Sequence, residues 1–304
     1  MLRDLNTLPK YLRPEEFAAL KLRELYSDYG YSFYRMGKFE EYDLYAKNKE
    51  FLISQDIITF TDIDGKLMAL KPDVTLSIVK HLRENPENVL QKFFYDEKIY
   101  RTSRNIRAFR EISQVGLECI GAFDEACVRE VLELALKSLE KISDGKEYVL
   151  DVSHLGLLSS LLSRIDNTNL RADILKFVSE KNSHEIANLQ IPELEKNLLV
   201  KLINVSGISE LREIFHGNYY LAQFENLLGN FGGNVRVDFS VISDLNYYNG
   251  IVFRGFIDGV PESILSGGQY DNLMRRMGHE NSHAIGFAVY LDKLDKLGGN
   301  HESY

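Results

Sequence analysis

The stretch REISQVGLECIG, residues 110–121, carries the clearest strand pattern in the chain. Because successive side chains of a strand point to opposite faces, Gln114, Gly116 and Glu118 share one face. The other face is apolar, with Val115, Leu117 and Cys119. A carboxylate and an amide on either side of a glycine would form a slot for a small ligand that carries an ammonium group. On this stretch alone, a half-exposed strand whose polar residues face water explains the pattern equally well.

A second strand is predicted just upstream, at QKFFYDEKIYR, residues 91–101. Arginines recur at every third position across the connection between the two strands, at Arg101, Arg104, Arg107 and Arg110. A charge run of this kind is typical of a solvated loop, and we interpret it as one.

Helical patterns flank these strands. Residues 14–30, PEEFAALKLRELYSDYG, predict a helix that begins with Pro14 and ends at Gly30. Asp124 is the predicted N-cap of a second amphipathic helix. From about residue 157 to 228 the chain is mostly helical in pattern and rich in polar residues. We expect this region to be an insertion between two β-rich halves.

Other strand patterns lie on both sides of the predicted insertion. Residues 56–75 contain two β-patterned runs around Asp64-Gly65, a dipeptide that favours tight hairpin turns, and Pro72 marks the end of the second run. Residues 234–241 and 250–257 also predict strands. A turn is expected at Gly267-Gly268, then a helix over about 270–277 and a last strand at 284–291. Together these elements indicate an α+β fold on a largely antiparallel sheet flanked by helices.

Composition excludes several classes of protein. The 304 residues are 44% hydrophobic and 27% charged, as in ordinary globular proteins. The net charge of −9 argues against a surface that binds a nucleic-acid backbone. Cys119 and Cys127 are too few for a disulfide framework and match no metal-ligand spacing, so no metal and a cytoplasmic location are expected. No segment resembles a leader peptide or a membrane span.

Five short motifs, in order along the chain, resemble the catalytic core of histidyl-tRNA synthetases. These are ALKPDVT at 69–75, Tyr100-Arg101 with QVGLE at 114–118, LNYY at 245–248, SGGQYD at 266–271 and AIGFA at 284–288. They are similar to the synthetases' LRPEGT, class II motif 2, LDYY, GGRYD and the start of motif 3. The resemblance implies a single class II synthetase-like domain over residues 1–304, with the helical insertion and without a C-terminal anticodon-binding domain.

The departures from these motifs bear on activity. In the synthetases an arginine two residues before the LDYY leucine acts on the histidine carboxylate, and that place is Ser243 here. The positions of other family residues are held by Ser103, Gln269, Tyr290 and Lys293, the last of these in place of the motif 3 arginine that contacts ATP. Adenylation needs cations aimed at phosphate charge, and serine does not replace the bidentate arginine. We therefore expect no adenylation.

The amino-acid pocket of the family is better kept. By resemblance, the positions that hold histidine are Asp73, Thr75, Arg101, Gln114, Glu118, Tyr247, Tyr248 and Tyr270. Carboxylates suit the α-ammonium group, and phenol or carboxylate groups suit the imidazole nitrogens. The resemblance implies no cofactor and no catalytic residue.

A paralogous family, the regulatory subunits of ATP phosphoribosyltransferase, fits both the kept pocket and the lost arginines. Its REFxQxGxE and RPDxT signatures are similar to residues 110–118 and 71–75, and Asp73 favours it over the synthetases. It implies a short-form catalytic subunit as partner, histidine as feedback effector, and a homodimer within a hetero-oligomer. Two alternatives stay open: a truncated histidyl-tRNA synthetase-like enzyme that adenylates histidine, and a catalytically inactive module that binds another partner.

Overall fold

The computed structural model describes residues 11–52, 57–82, 89–103, 108–165, 167–229, 231–242 and 247–297. Its strands are β1 Ser32–Phe33, β2 Phe39–Glu41, β3 Thr59–Thr61, β4 Leu67–Leu70, β5 Gln91–Ser103, β6 Ala108–Gly121, β7 Tyr148–His154, β8 Val235–Val237, β9 Ile251–Ile257, β10 Leu265–Gln269 and β11 His283–Tyr290. Its α-helices are α1 Pro14–Asp28, α2 Tyr42–Lys47, α3 Thr75–Lys80, α4 Glu125–Ile142, α5 Leu155–Leu162, α6 Thr168–Ser179, α7 Ser183–Asn188, α8 Glu193–Ile203, α9 Ile208–Ile214, α10 Tyr219–Leu228 and α11 Asp271–Arg276.

The strands confirm the predicted α+β fold. Within the described ranges they form an eight-stranded sheet in the order β1-β5-β6-β11-β10-β9-β7-β8 and a three-stranded sheet in the order β2-β4-β3. Pairing in the large sheet is antiparallel except at its two edges, where β1 pairs with β5 and β7 with β8 in parallel. The long hairpin of β5 and β6 pairs from Gln91 opposite Ile120 to Ser103 opposite Ala108.

Helices α1 and α4 cover the apolar face of the large sheet. Val115, Leu117 and Cys119 of β6 all lie in this core, as the alternation predicted. The two helices are also joined by a buried hydrogen bond of 2.9 Å between Tyr26 Oη and Ser138 Oγ. Helix α4 begins as predicted, because a carboxylate oxygen of Asp124 accepts hydrogen bonds from the backbone N–H groups of Ala126 and Cys127.

The predicted hairpin of residues 56–75 supplies β3 and β4, two of the three strands of the small sheet. Its turn contains Gly65 at φ +80°, a backbone conformation that residues with a side chain rarely adopt. Strand β4 ends at Leu70, ahead of Pro72, and the chain then enters the short helix α3. The small sheet therefore leads directly into residues 72–75, which carry part of the predicted pocket.

Helices α5 to α10 lie between β7 and β8, and they begin at Leu155, close to the predicted start of the helical region. This segment leaves the sheet after β7 and returns at β8, which is the neighbour of β7, with Leu150 opposite Val235. The interpretation of this segment as an insertion remains a prediction.

Two local predictions were wrong. The strand predicted at 234–241 ends at Val237, because the Asp238 carboxylate accepts a hydrogen bond from Ser240 N at 2.8 Å and the chain turns into a 3-10 helix, Phe239–Val241. The turn predicted at Gly267-Gly268 is instead the middle of β10, paired on both sides with β9 and β11. The glycines are required there by close packing: a Cβ on Gly268 would lie 2.7 Å from the ring of Tyr248.

No helix in the described ranges is both long enough and apolar enough to cross a lipid bilayer.

Candidate functional site

Glu118 lies at the centre of the candidate site. Its side chain is on the face of β6 away from the α1 and α4 core, and the residue is only 2% exposed. The Thr75 hydroxyl donates a hydrogen bond of 2.7 Å to Oε1, and the Tyr270 hydroxyl donates one of 2.6 Å to Oε2. Gln114 is likewise buried on this strand. The half-exposed strand with polar residues facing water, which the sequence left open, is therefore wrong.

Residues 72–75 form one wall of the site. Asp73 accepts a hydrogen bond from the backbone N–H of Leu76 at 2.9 Å, which fixes its carboxylate at the start of α3. Arg101 holds the same segment, because its Nε donates to the carbonyl oxygen of Pro72 at 3.0 Å. Burial raises the pKa of the Asp73 carboxyl, and the positive charge of Arg101 opposes that rise. Arg101 thus compensates part of the negative charge of this wall.

Three tyrosines close the opposite side. The ring centroids of Tyr247 and Tyr248 lie 4.6 Å apart, edge to face, and those of Tyr247 and Tyr270 lie 5.9 Å apart. The Tyr247 hydroxyl also shares a hydrogen bond with the side chain of Thr75. The tyrosines are therefore part of the same hydrogen-bonded network as Glu118, and they present phenol groups to the space beside it.

Burial changes the protonation of the acidic groups. Desolvation raises the pKa of Glu118 to about 8, against the opposing effect of the hydrogen bonds from Tyr270 and Thr75. Desolvation also raises the pKa of Asp73. A cationic ligand group placed beside these carboxyls would favour their charged forms, so the site is suited to an ammonium group.

All eight predicted pocket residues line one cavity of about 410 Å³. The carboxylates and phenols just described line this cavity together with four cations, Arg101, Arg110, Arg254 and Lys293. Arg110 forms an ion pair with Asp292 at 3.5 Å, and Lys293 forms one with Glu262 at 3.3 Å. The cavity is therefore lined by charged groups of both signs.

The arginine run differs from the solvated loop that was predicted. Arg101 and Arg110 face each other across the β5–β6 hairpin and both line the cavity. Arg104 and Arg107 lie outside the described residues. Their places in the two predicted strands, 91–101 and 110–121, are thus confirmed, whereas their position in the cavity was not expected from the charge run.

The residues that depart from the synthetase motifs have mostly structural contacts. The Gln269 side-chain oxygen accepts a hydrogen bond from Ile251 N at 2.8 Å, and Tyr290 Oη lies 2.9 Å from Ser266 Oγ. Lys293 donates to the carbonyl oxygen of Ser263 at 2.7 Å. Ser243 lies outside the described residues.

Several cavity residues were not predicted. Tyr95 and Gly286 come to the site through strand register: Tyr95 is opposite Gly116, and Gly286 is opposite Glu118. A Cβ on Gly286 would overlap Oε2 of Glu118. Arg254 also lines the cavity, from β9. The alternation of Val252, Arg254 and Phe256 on one face of the predicted strand 250–257 was the signal that could have identified Arg254.

The described residues contain no cluster of three or more histidine, cysteine or acidic side chains that could hold a metal ion.

Similar proteins carry two kinds of name. The sequence pattern of the histidyl-tRNA synthetase family matches residues 3–294. A histidine–tRNA ligase of Methanocaldococcus jannaschii is 26% identical over 303 residues, which cover 94% of this chain and 72% of that protein. An ATP phosphoribosyltransferase regulatory subunit of Caldanaerobacter subterraneus subsp. tengcongensis is 29% identical over 293 residues, which cover 90% of this chain and 76% of that protein.

Solved structures show the same fold. A Bacillus halodurans protein, described as an ATP phosphoribosyltransferase regulatory subunit/histidyl-tRNA synthetase, superimposes with a TM-score of 0.82 at 25% identity, covering 99% of this chain and 83% of that one. A chain of the ATP phosphoribosyltransferase (HisG:HisZ) complex from Thermotoga maritima superimposes with a TM-score of 0.73 at 18% identity, covering 91% of this chain and 97% of that one. The class II synthetase-like architecture expected from the motifs is thereby confirmed.

Proposed function

The chain belongs to the histidyl-tRNA synthetase family, and from that premise we propose that it is a regulatory subunit that binds histidine and does not adenylate it. Its partner is the short-form catalytic subunit of ATP phosphoribosyltransferase, which it activates and makes sensitive to histidine. The observation that carries this proposal is the closed network of Glu118, Thr75 and Tyr270 in a cavity where Arg101, Arg110 and Lys293 are engaged by the protein itself.

The carboxylate, phenol and amide groups that line the cavity match the chemical groups of histidine. Its α-ammonium group pairs with Glu118, which has no ion-pair partner among the residues that the structure describes, and this charge-assisted hydrogen bond is stronger than a neutral one. Its imidazole ring bonds to phenol and amide groups, which Tyr247, Tyr248 and Gln114 supply. The rings of Tyr247 and Tyr270, which are tilted against each other with centroids 5.9 Å apart, give the cavity aromatic walls. Aromatic walls suit the planar imidazole ring.

The position of Lys293 supports a role without adenylation. Phosphoryl and nucleotidyl chemistry requires cations free to stabilise developing negative charge. The Lys293 ammonium is instead neutralised by Glu262, bonded to Ser263 O, and placed 4.8 Å from the centre of the Tyr290 ring. Engaging ATP would require breaking these contacts first.

Names of similar proteins support the partner. Regulatory subunits of ATP phosphoribosyltransferase from Caldanaerobacter subterraneus, Oceanobacillus iheyensis and Halalkalibacterium halodurans match this chain at 29%, 26% and 26% identity. Histidine–tRNA ligases match at 25–26%. The second candidate function is accordingly a histidine-adenylating enzyme, which Arg101, at the position of the motif 2 arginine and lining the cavity, favours.

Reconstitution with a short-form catalytic subunit tests the proposal. The two proteins are purified together, and phosphoribosyl transfer is measured with each alone and with the complex, at increasing histidine. We expect the complex to be more active than the catalytic subunit alone and to be inhibited by histidine, with a coupling of about 1–3 kcal/mol. Glu118→Gln in the complex is the control, which should keep assembly and lose inhibition. Equal inhibition with and without this chain would contradict the proposal.

The regulatory chain is also proposed to be a homodimer within the larger assembly. The small sheet exposes the rings of Phe39 and Phe60, whose centroids are 5.1 Å apart and which are 55% and 37% exposed. Contiguous exposed apolar patches mark surfaces that other chains cover, and this aromatic pair is the proposed centre of such a patch. Sedimentation equilibrium of wild type and Phe39→Glu measures the association, and a monomeric wild type at micromolar concentration would contradict it.

A further inference from the structure

Glu118 and Arg254 face the same cavity from strands β6 and β9, separated by small residues. Glu118 is opposite Gly286, which is opposite Gly268. Arg254 is opposite Ser266, which is opposite Ala288. The floor between the carboxylate and the guanidinium is therefore built from Gly268, Gly286, Ser266 and Ala288. The Tyr248 ring packs on Gly268 and the Glu118 carboxylate leans over Gly286, and Glu118 and Arg254 both line the cavity beside them.

We propose that Arg254 binds the carboxylate of the amino-acid ligand whose ammonium group Glu118 binds. The inference rests on the function proposed above and adds to it the group that distinguishes an amino acid from a simple amine. The ligand class is then a zwitterionic α-amino acid, held at both charged ends across the floor of the sheet.

The dimensions of the sheet agree with this arrangement. The Glu118 carboxylate leans over β11, since a Cβ on Gly286 would overlap it. Strand β9 lies two strands away, about 10 Å, and Arg254 is one cross-strand row further along, about 7 Å. The arginine side chain covers part of that separation. The rest matches an ammonium–carboxylate pair with a contact of about 2.8 Å at each end.

Tyr248 packs on Gly268 of this floor. Burial raises the pKa of the Tyr248 hydroxyl, negative charge on Glu118 acts in the same direction, and positive charge on Arg254 opposes the rise. Glu118, Tyr248 and Arg254 all line the same cavity.

The other cations of the cavity have partners within the protein. Arg101 donates to Pro72 O beside Asp73, Arg110 pairs with Asp292, and Lys293 pairs with Glu262. Across the described part of the chain, no carboxylate lies within ion-pair distance of Arg254. Its planar guanidinium is also the side chain best suited to bind a carboxylate through two parallel hydrogen bonds. A ligand carboxylate would supply the missing partner.

Calorimetric titration with L-histidine and histamine isolates this contact, because histamine keeps the imidazole and the ammonium group and lacks the carboxylate. Wild type should prefer L-histidine by about tenfold or more, the scale of a charge pair removed from a partly desolvated site. Arg254→Gln should reduce the preference to about twofold or less, chiefly because it weakens the binding of L-histidine. Arg254→Lys should keep an intermediate preference, since lysine retains the charge without the bidentate geometry.

Two further variants sharpen the test. Arg212→Gln removes one positive charge from an exposed ion pair with Glu225 and should leave the preference unchanged. Arg110→Gln tests the competing cavity arginine. The proposal would be overturned if Arg110→Gln lost the preference for L-histidine while Arg254→Gln kept it. A wild type that binds both ligands equally would also overturn it. A wild type that binds histamine and L-histidine not at all would instead overturn the proposed function. Circular dichroism checks the fold of each variant.

Discussion

The hydroxyl of Tyr270 lies 2.6 Å from Oε2 of Glu118, although 152 positions of sequence separate the two residues. Both are 2% exposed, and neither belongs to the apolar core between the sheet and helices α1 and α4. A hydrogen bond this short, buried away from that core, fixes a carboxyl group where it can act on a ligand.

Replacing this carboxyl tests the ligand site directly. Glu118→Gln should weaken L-histidine binding at least about tenfold, because it removes the charge that compensates the ligand ammonium. Folding should change little, since glutamine conserves the volume. Titration calorimetry gives the affinity and circular dichroism the fold. Unchanged affinity in a folded variant would move the site elsewhere, and an unfolded variant would indicate that Glu118 is structural.

The same carboxyl should give the ligand-free protein an unusual dependence of stability on pH. Burial raises the pKa of Glu118 from 4.5 to about 8, so between these values the folded protein keeps a proton that the unfolded chain has lost. The stabilisation is complete below about pH 4.5 and is lost as pH rises through about 8. Relative to Glu118→Gln, wild type should therefore lose at most about 1.4 kcal/mol of unfolding free energy per pH unit.

Urea denaturation of both proteins between pH 5 and pH 9 measures this difference. Using the variant as reference cancels the contributions of the other titrating groups that the two proteins share. A difference that stays constant with pH would show that Glu118 titrates normally.

Gly286 should tolerate no side chain. A Cβ there would overlap the Glu118 carboxylate and the Leu117 carbonyl oxygen. Gly286→Ala should destabilise the protein by about 1–3 kcal/mol and displace Glu118, with loss of L-histidine binding. Gly233→Ala is the matched control, since nothing lies within 4 Å of a Cβ at that glycine. Thermal unfolding measures the stability of the two variants, and titration calorimetry measures their binding of L-histidine. Equal stability and equal binding would argue against the packing of Glu118 on Gly286.

The chain alone should not catalyse histidine-dependent exchange between ATP and pyrophosphate. Lys293 is already bonded to Glu262 and Ser263, and it lacks the bidentate geometry of arginine. Incorporation of labelled pyrophosphate into ATP, with a histidyl-tRNA synthetase as positive control, is the measurement. Exchange above the rate without histidine would favour the adenylating alternative.

Strand alternation predicted correctly which residues of β6 share a face. It could not predict which residues from other segments cover that face. Gln114 and Glu118 share a buried face because period two is a property of any extended chain. Whether that face meets water depends on Thr75 and Tyr270, which reach it from distant segments. Alternation alone contains no information on such contacts. The resemblance to the synthetase motifs did assign Thr75 and Tyr270 to the same pocket as Glu118, and the structure brings them to one cavity.

The glycines illustrate the same limit. Gly65 was predicted correctly, because a tight hairpin turn is a local structure and its positive φ needs a glycine. Gly267 and Gly268 were assigned to a turn, yet they lie within β10 because the rings of Phe253 and Tyr248 pack against them. At Gly65 nothing lies within 4 Å of a Cβ and the positive φ is what needs glycine, whereas Gly267 and Gly268 are required by close packing, which only the fold shows.

The contact between Glu118 and Tyr270 also bears on how the chain folds. Closing a loop of this length has a high entropic cost before any native contact compensates for it. Strands β9 to β11 must therefore join the β5–β6 hairpin before the pocket exists, and long-range pairing of this kind is slow. Histidine would recognise only chains that have completed this last step, so the rate at which binding appears during refolding would report the assembly of the two halves of the sheet.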